Sequence, residues 1–183
     1  MKTLPFIIFG IAVLAQWAAP LYQIWTHEQV LAKGTLIKLK CGAPDPYDPL
    51  RGRYLAVRPN QSEAPVPAGM ELQRGTPVYA VLDTGTDGFA SISSLSLTPP
   101  ASGDYLRVKA GYAYNGTTSI VWPFDRFYVN EKLAPEADKW FAENIRSAQG
   151  IIAEVRVLNG RAVLEDLSFD GKPFREILKE RIK

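Results

Sequence analysis

The pattern of apolar and polar positions divides the chain into two unequal parts. From Leu4 to Trp25 the sequence LPFIIFGIAVLAQWAAPLYQIW contains no charged residue. A helix of about 20 such residues crosses the ~30 Å hydrocarbon core of a bilayer. Trp17, Tyr22 and Trp25 cluster toward the far end of this run, where amphipathic rings favour the headgroup layer. Pro5, Gln16, Pro20 and Gln23 interrupt it. Beyond Trp25 apolar residues recur in short alternating stretches, the period of half-buried strands. Residues 1–26 therefore read as a membrane anchor or signal-anchor, and residues 27–183 as one extracytoplasmic β-rich domain.

Two other readings of the N-terminus compete. A cleaved signal peptide needs a basic start, which Lys2 supplies, and small residues at the recognition positions. Cutting after Ala18 or Ala19 places Gln16 or Trp17 at one of those positions, and large side chains fit there badly. The third reading is a buried helix of a soluble protein. For an anchor, Lys2 and the α-amine precede the apolar run, whereas Thr26-His27-Glu28 follows it, with no basic residue until Lys33. The positive-inside bias then keeps the N-terminus in the cytosol and exports the rest.

Within the exported part, Glu28 to Lys33 is a short helical or extended connector. Thr35–Lys40 and Arg53–Arg58 read as strands, separated by a loop with Pro44, Pro46 and Pro49, residues that sit in neither helix interiors nor central strands. Asn60–Gly69 is a surface excursion. Pro77–Asp83, Phe89–Leu95, Tyr105–Tyr114 and Thr117–Trp122 follow as a meander. Leu106, Val108, Ala110, Tyr112 and Tyr114 share one face of the third of these strands. Asn115-Gly116 and Asn159-Gly160 are hairpin signals, since both residue types accept positive φ. The second joins Ile151–Leu158 to Arg161–Phe169. Pro135, Glu136 and Asp138 suit a helix start. Ala137, Trp140, Phe141, Asn144, Ile145 and Ala148 trace its mostly apolar face. Phe174, Ile177, Leu178 and Ile182 are spaced for a short terminal helix. The expected fold is mainly β, an antiparallel sheet or partly open barrel with one or two packing α-helices, plus the N-terminal transmembrane helix.

Composition removes several function classes. The chain has 21 basic and 19 acidic residues and a net charge of +2. Without a basic stripe, nucleic acid is not an expected partner. Cys41 is the sole cysteine, so no internal disulfide forms, and one histidine excludes histidine-rich metal sites. No cofactor is expected.

The segment DPYDPLRGRYLAV resembles the signature of the GDYXXLXY family through Asp45, Pro46, Asp48, Arg51, Gly52 and Tyr54. Arg53, Val57 and Pro59 depart from it. The stretches PVYAVLDTGTDGFASI and PFDRFYVNEKLAPEAD, the LAKGT step and the NGRAVLEDL hairpin are similar to members of the same family. The resemblance implies a membrane-associated bacterial protein; with the apolar run and its charge bias, the expectation is a single-pass protein of the inner membrane with its C-terminal domain in the periplasm. The resemblance also implies a multi-spanning membrane protein as a partner alongside the lipid bilayer. It carries over no catalytic residue.

Three constellations hold candidate chemistry. Asp45 and Asp48, with Arg51 and Arg53, could bind a hard cation or act as an acid–base pair. They could equally cap turn amides, with Gly52 supplying an unusual φ. Phe124-Asp125-Arg126-Phe127-Tyr128 fits an edge strand that could meet the first loop and form one binding site with Arg51 and Tyr54. Asp125, Arg126 and Tyr128 are its polar candidates, and the alternative is a strand that only buries Phe127. Asp83-Thr84-Gly85-Thr86-Asp87-Gly88 begins like a calcium loop but has Gly85 at the third position and Ser94 at the twelfth, so a hairpin loop is expected. Cys41 with His27 lacks a third member for nucleophilic catalysis. The leading expectation is a non-enzymatic binding or accessory subunit of a membrane protein complex. The alternative is a hydrolase or metal-dependent enzyme using Asp45, Asp48 and Asp125.

Overall fold

Leu4–Lys33 forms one 30-residue helix, α1, about 45 Å long at 1.5 Å per residue. Up to Trp25 it carries no charge, and large apolar side chains project from every side. Phe6, Ile8, Leu14, Trp17, Leu21 and Trp25 are all largely exposed, and its apolar window, long and apolar enough to cross a membrane, is unburied. The structure, a computed structural model, describes residues 3–42, 54–130, 133–144 and 150–181.

The connector Glu28–Lys33 belongs to α1, and the chain passes from helix to strand at Gly34 without a linker. Thr26 and Val30 are buried where α1 meets the two strands of the second hairpin. The strands are β1 (Thr35–Cys41), β2 (Tyr54–Ala56), β3 (Glu63–Pro65), β4 (Pro77–Thr84), β5 (Ala90–Ser96), β6 (Tyr105–Tyr114), β7 (Thr117–Val121) and β8 (Arg126–Tyr128). After α2 (Ala134–Asn144) come β9 (Ile151–Leu158), β10 (Arg161–Phe169), β11 (Lys172–Pro173) and α3 (Phe174–Arg181). Alternation explains the best-formed strands: β9 buries Ile151, Ala153, Val155 and Val157 and turns the residues between them outward.

The strands pair antiparallel in three sets: β1-β9-β10-β11, β2-β8 and β3-β7-β6-β4-β5. The five-stranded sheet curls until its edge strands β3 and β5 approach each other, giving a nearly closed barrel. One side chain spans the seam. The Gln61 amide donates to the Ile92 carbonyl at 3.0 Å and accepts the Ile92 N–H at 2.6 Å, replacing the ladder bonds that two edges at this angle cannot make. The Arg107 N–H donates to the Gly160 carbonyl at 2.8 Å and ties β6 to the β9–β10 turn. Arg156, close to the same turn, fastens the start of β1. Its Nε donates to Glu165 Oε2 at 2.6 Å and its Nη1 to the Gly34 carbonyl at 3.2 Å.

One apolar core runs through both larger sheets, from Ile37 and Leu39 through Leu106 and Val108 to Val155 and Leu167. At one end Phe174 of α3 is fully buried among Phe127, Trp140 and Phe169, so α2 and α3 cover the sheet together.

Two expectations change. Tyr112 and Tyr114 do not share the buried face of Leu106, Val108 and Ala110. They are 70% and 76% exposed, because a bulge between Ala110 and Ala113 shifts the register. A bulge adds a residue and reverses the alternation beyond it. Gly111 occupies the buried position, where a Cβ would collide with Ser119. The excursion after Asn60 also contains a strand, β3, which the β7 edge recruits.

Candidate functional site

The strand β2 pairs directly with β8, with Tyr54 opposite Tyr128 and Ala56 opposite Arg126. Alternation fixes the faces of this ribbon. Phe127 is buried at its centre, which turns the side chains on either side of it outward. Arg126 and Tyr128 flank it, and Tyr54 stands across from them. The Arg126 guanidinium lies 4.8 Å from the Tyr54 ring centroid, and the two tyrosine rings are 6.1 Å apart. The Asp125 carboxylate, 77% exposed, is 3.6 Å from Arg126 Nε. Hydrogen bonding to Tyr128 and then the nearby Asp125 charge hold the Arg126 pKa above its ordinary value. The group is therefore a partly exposed, permanently cationic aromatic cluster held on paired backbone.

Tyr54, Asp125, Arg126 and Tyr128 thus lie together on one ribbon. Asp45, Asp48, Arg51 and Gly52 lie outside the described residues. The arrangement can recognise a surface through stacking, a guanidinium donor and a carboxylate acceptor. Arg and Tyr are the residue types that dominate interface energetics.

Of the Asp83–Gly88 segment, Asp83 and Thr84 end β4 and Gly85 to Gly88 form the hairpin turn to β5. Asp87 Oδ1 accepts the Phe89 N–H at 3.2 Å, and its Oδ2 accepts from Lys40 Nζ at 2.8 Å. The Lys40 hydrogen bond, then the Phe89 amide, lower the Asp87 pKa. Lys40 also sits 4.5 Å from the Phe89 ring centroid. With Asn60, Ser91 and Trp122 these residues bound a cleft of about 260 Å³. No local motif announces it, because Lys40 and Asp87 are 47 residues apart in sequence. Only the meeting of β1 with the β4–β5 turn creates it.

Cys41 is 7% exposed at the end of β1 remote from α1. Burial pushes its thiol up to about 11, against a smaller lowering by a backbone hydrogen bond. A thiol is nucleophilic only as thiolate. Iodoacetamide at pH 8 is therefore expected to leave Cys41 unmodified in the native protein and to label it fully in denaturant. Prompt native-state labelling, followed by mass spectrometry, would contradict the buried position. The sign of the linkage follows: the raised pKa favours the fold below pH 9, and this contribution is lost as pH rises from about 9 to about 11.

A family model described as GDYXXLXY protein matches residues 16–167. Among curated proteins and among solved structures nothing matches the chain.

Proposed function

This chain belongs to the GDYXXLXY family, and from that premise we propose that it is a non-enzymatic, single-pass protein of the bacterial inner membrane. Its β domain stands in the periplasm and serves as a binding or accessory subunit of a membrane protein complex. The observation that carries this reading is the Tyr54–Arg126–Tyr128 cluster, an aromatic–guanidinium group on paired strands that is half-buried at Tyr54 and Arg126 and exposed at Tyr128. Such a group loses little conformational entropy when a partner covers it. The long apolar helix supplies the attachment, and the bias of Lys2 against an outer flank with no basic residue until Lys33 supplies the orientation.

The test is recovery from detergent with an affinity tag after Lys183. A second membrane protein is expected to copurify with the wild type. Tyr54→Ala with Tyr128→Ala is expected to reduce its recovery at least tenfold, since interface hot spots contribute about 2 kcal/mol or more each. Wild-type protein that is always recovered alone would overturn the reading. Protease added to intact spheroplasts is expected to remove the tag, and a protected tag would reverse the orientation.

A further inference from the structure

Within the uncharged run of α1 the two glutamines lie on one side of the helix. Thr26 and Val30 are buried against the β domain. At 100° per residue, Gln23 and Gln16 fall within about 40° of Val30, while Leu14 and Leu21 fall on the opposite side. Ala12 and Ala19 share the glutamine side. Both glutamine side chains are exposed. The apolar run therefore places its two amides on the face that continues downward from the domain contact.

A second feature meets the first at the same turn. Pro20 lies inside α1 and has no N–H to give to the Gln16 carbonyl. Gln16 thus presents a side-chain amide and a backbone carbonyl that lacks its helical donor. In hydrocarbon no water can take either role, so both groups need partners from protein.

We propose that the Gln16–Gln23 face of α1 docks a transmembrane helix of a second, different membrane protein, which hydrogen-bonds to these amides and to the Gln16 carbonyl. The proposal rests on the membrane-subunit reading above and names where in the bilayer the partner sits. A second copy of this chain fits poorly. The β domain overhangs the same face of α1, so two copies joined through their glutamine faces would bring both domains into one space. A foreign helix that ends at the membrane surface beneath the domain meets no such obstacle. Ala12 and Ala19 allow its backbone to come close.

A photo-crosslinking residue placed in the full-length, membrane-inserted protein tests this. At Ala19, illumination is expected to give a product at least tenfold stronger than at Leu14 or Leu21. Mass spectrometry is expected to map the joined peptide to an apolar span of another protein. Gln16→Leu with Gln23→Leu, which raises the apolarity of the helix, is expected to cut the Ala19 product at least tenfold while the protein stays in the membrane fraction. Equal crosslinking from both faces, or a product of two copies of this chain, would overturn the proposal. Either result leaves the Tyr54–Tyr128 cluster to be judged by its own copurification. Full-length protein in the soluble fraction would overturn both.

Discussion

Replacing Phe174 by alanine is expected to lower the stability of the domain by about 3–5 kcal/mol, the cost of deleting a buried aromatic ring whose cavity cannot collapse. Phe174 is fully buried, and its ring centroid lies 5.1 Å from that of Phe169, 5.4 Å from Trp140 and 6.4 Å from Phe127. Those contacts join α2, α3, β8 and β10, so the vacated space is walled by four separate elements. Edge-to-face pairs add to the loss beyond the area buried. A domain stabilised by about 5–15 kcal/mol keeps a reduced margin after such a change. Guanidinium denaturation of the full chain in detergent would measure it. Leu97→Ala, at an exposed apolar position, is the reference and is expected to shift stability by less than about 0.5 kcal/mol. Equal midpoints for Phe174→Ala and Leu97→Ala would mean that the terminal helix does not close the core.

The second large effect is expected at the β6 bulge. Gly111→Val is expected to cost about 2–4 kcal/mol through overpacking and a lost hydrogen bond. A Cβ at residue 111 would lie 3.0 Å from the Ser119 carbonyl oxygen and closer still to the Ser119 hydroxyl. That hydroxyl accepts the Tyr112 N–H at 2.9 Å, so moving it aside abandons a bulge amide. Ser119→Ala combined with Gly111→Ala removes the closest obstacle. The pair is therefore expected to be less destabilised than the sum of its single changes, by at least about 0.5 kcal/mol in a double-mutant cycle. Strict additivity would show that the close approach of Gly111 to Ser119 does not constrain the strand.

The same bulge marks where alternation stops being readable. Tyr105 to Ala110 follows period 2, and the strand was legible from it. The turns were legible as well: Asn115 and Asn159 adopt φ of 48° and 50°, the left-handed conformation that Asn-Gly hairpins use. One inserted residue beyond Ala110 turned two tyrosines from core to surface, and nothing local distinguishes Gly111 from an ordinary strand glycine. The barrel seam was hidden for a different reason. Gln61 bonds to Ile92 across 31 residues, and a glutamine beside a proline-bearing stretch looks like any surface residue. The ribbon was half visible. The Phe-Asp-Arg-Phe-Tyr alternation marks the strand, and Tyr54 matches the family signature. The register that sets Tyr54 against Tyr128 is a tertiary fact. For Asp45, Asp48, Arg51 and Gly52, all outside the described residues, the sequence reading stands as an expectation.

The direct passage from α1 into β1 at Gly34 has a mechanical consequence. Helices in bilayers lean by about 20° on average, and a hinge between helix and body would absorb that lean. Here Arg156 and the seated Val30 clamp the joint, so the body inherits the slope of its stem. A point about 30 Å above the joint then swings sideways by roughly 10 Å for a lean of that size. Whatever sets the lean of such a helix, its neighbours and interfacial anchors as well as bilayer thickness, would thereby steer where the Tyr54–Arg126–Tyr128 cluster points.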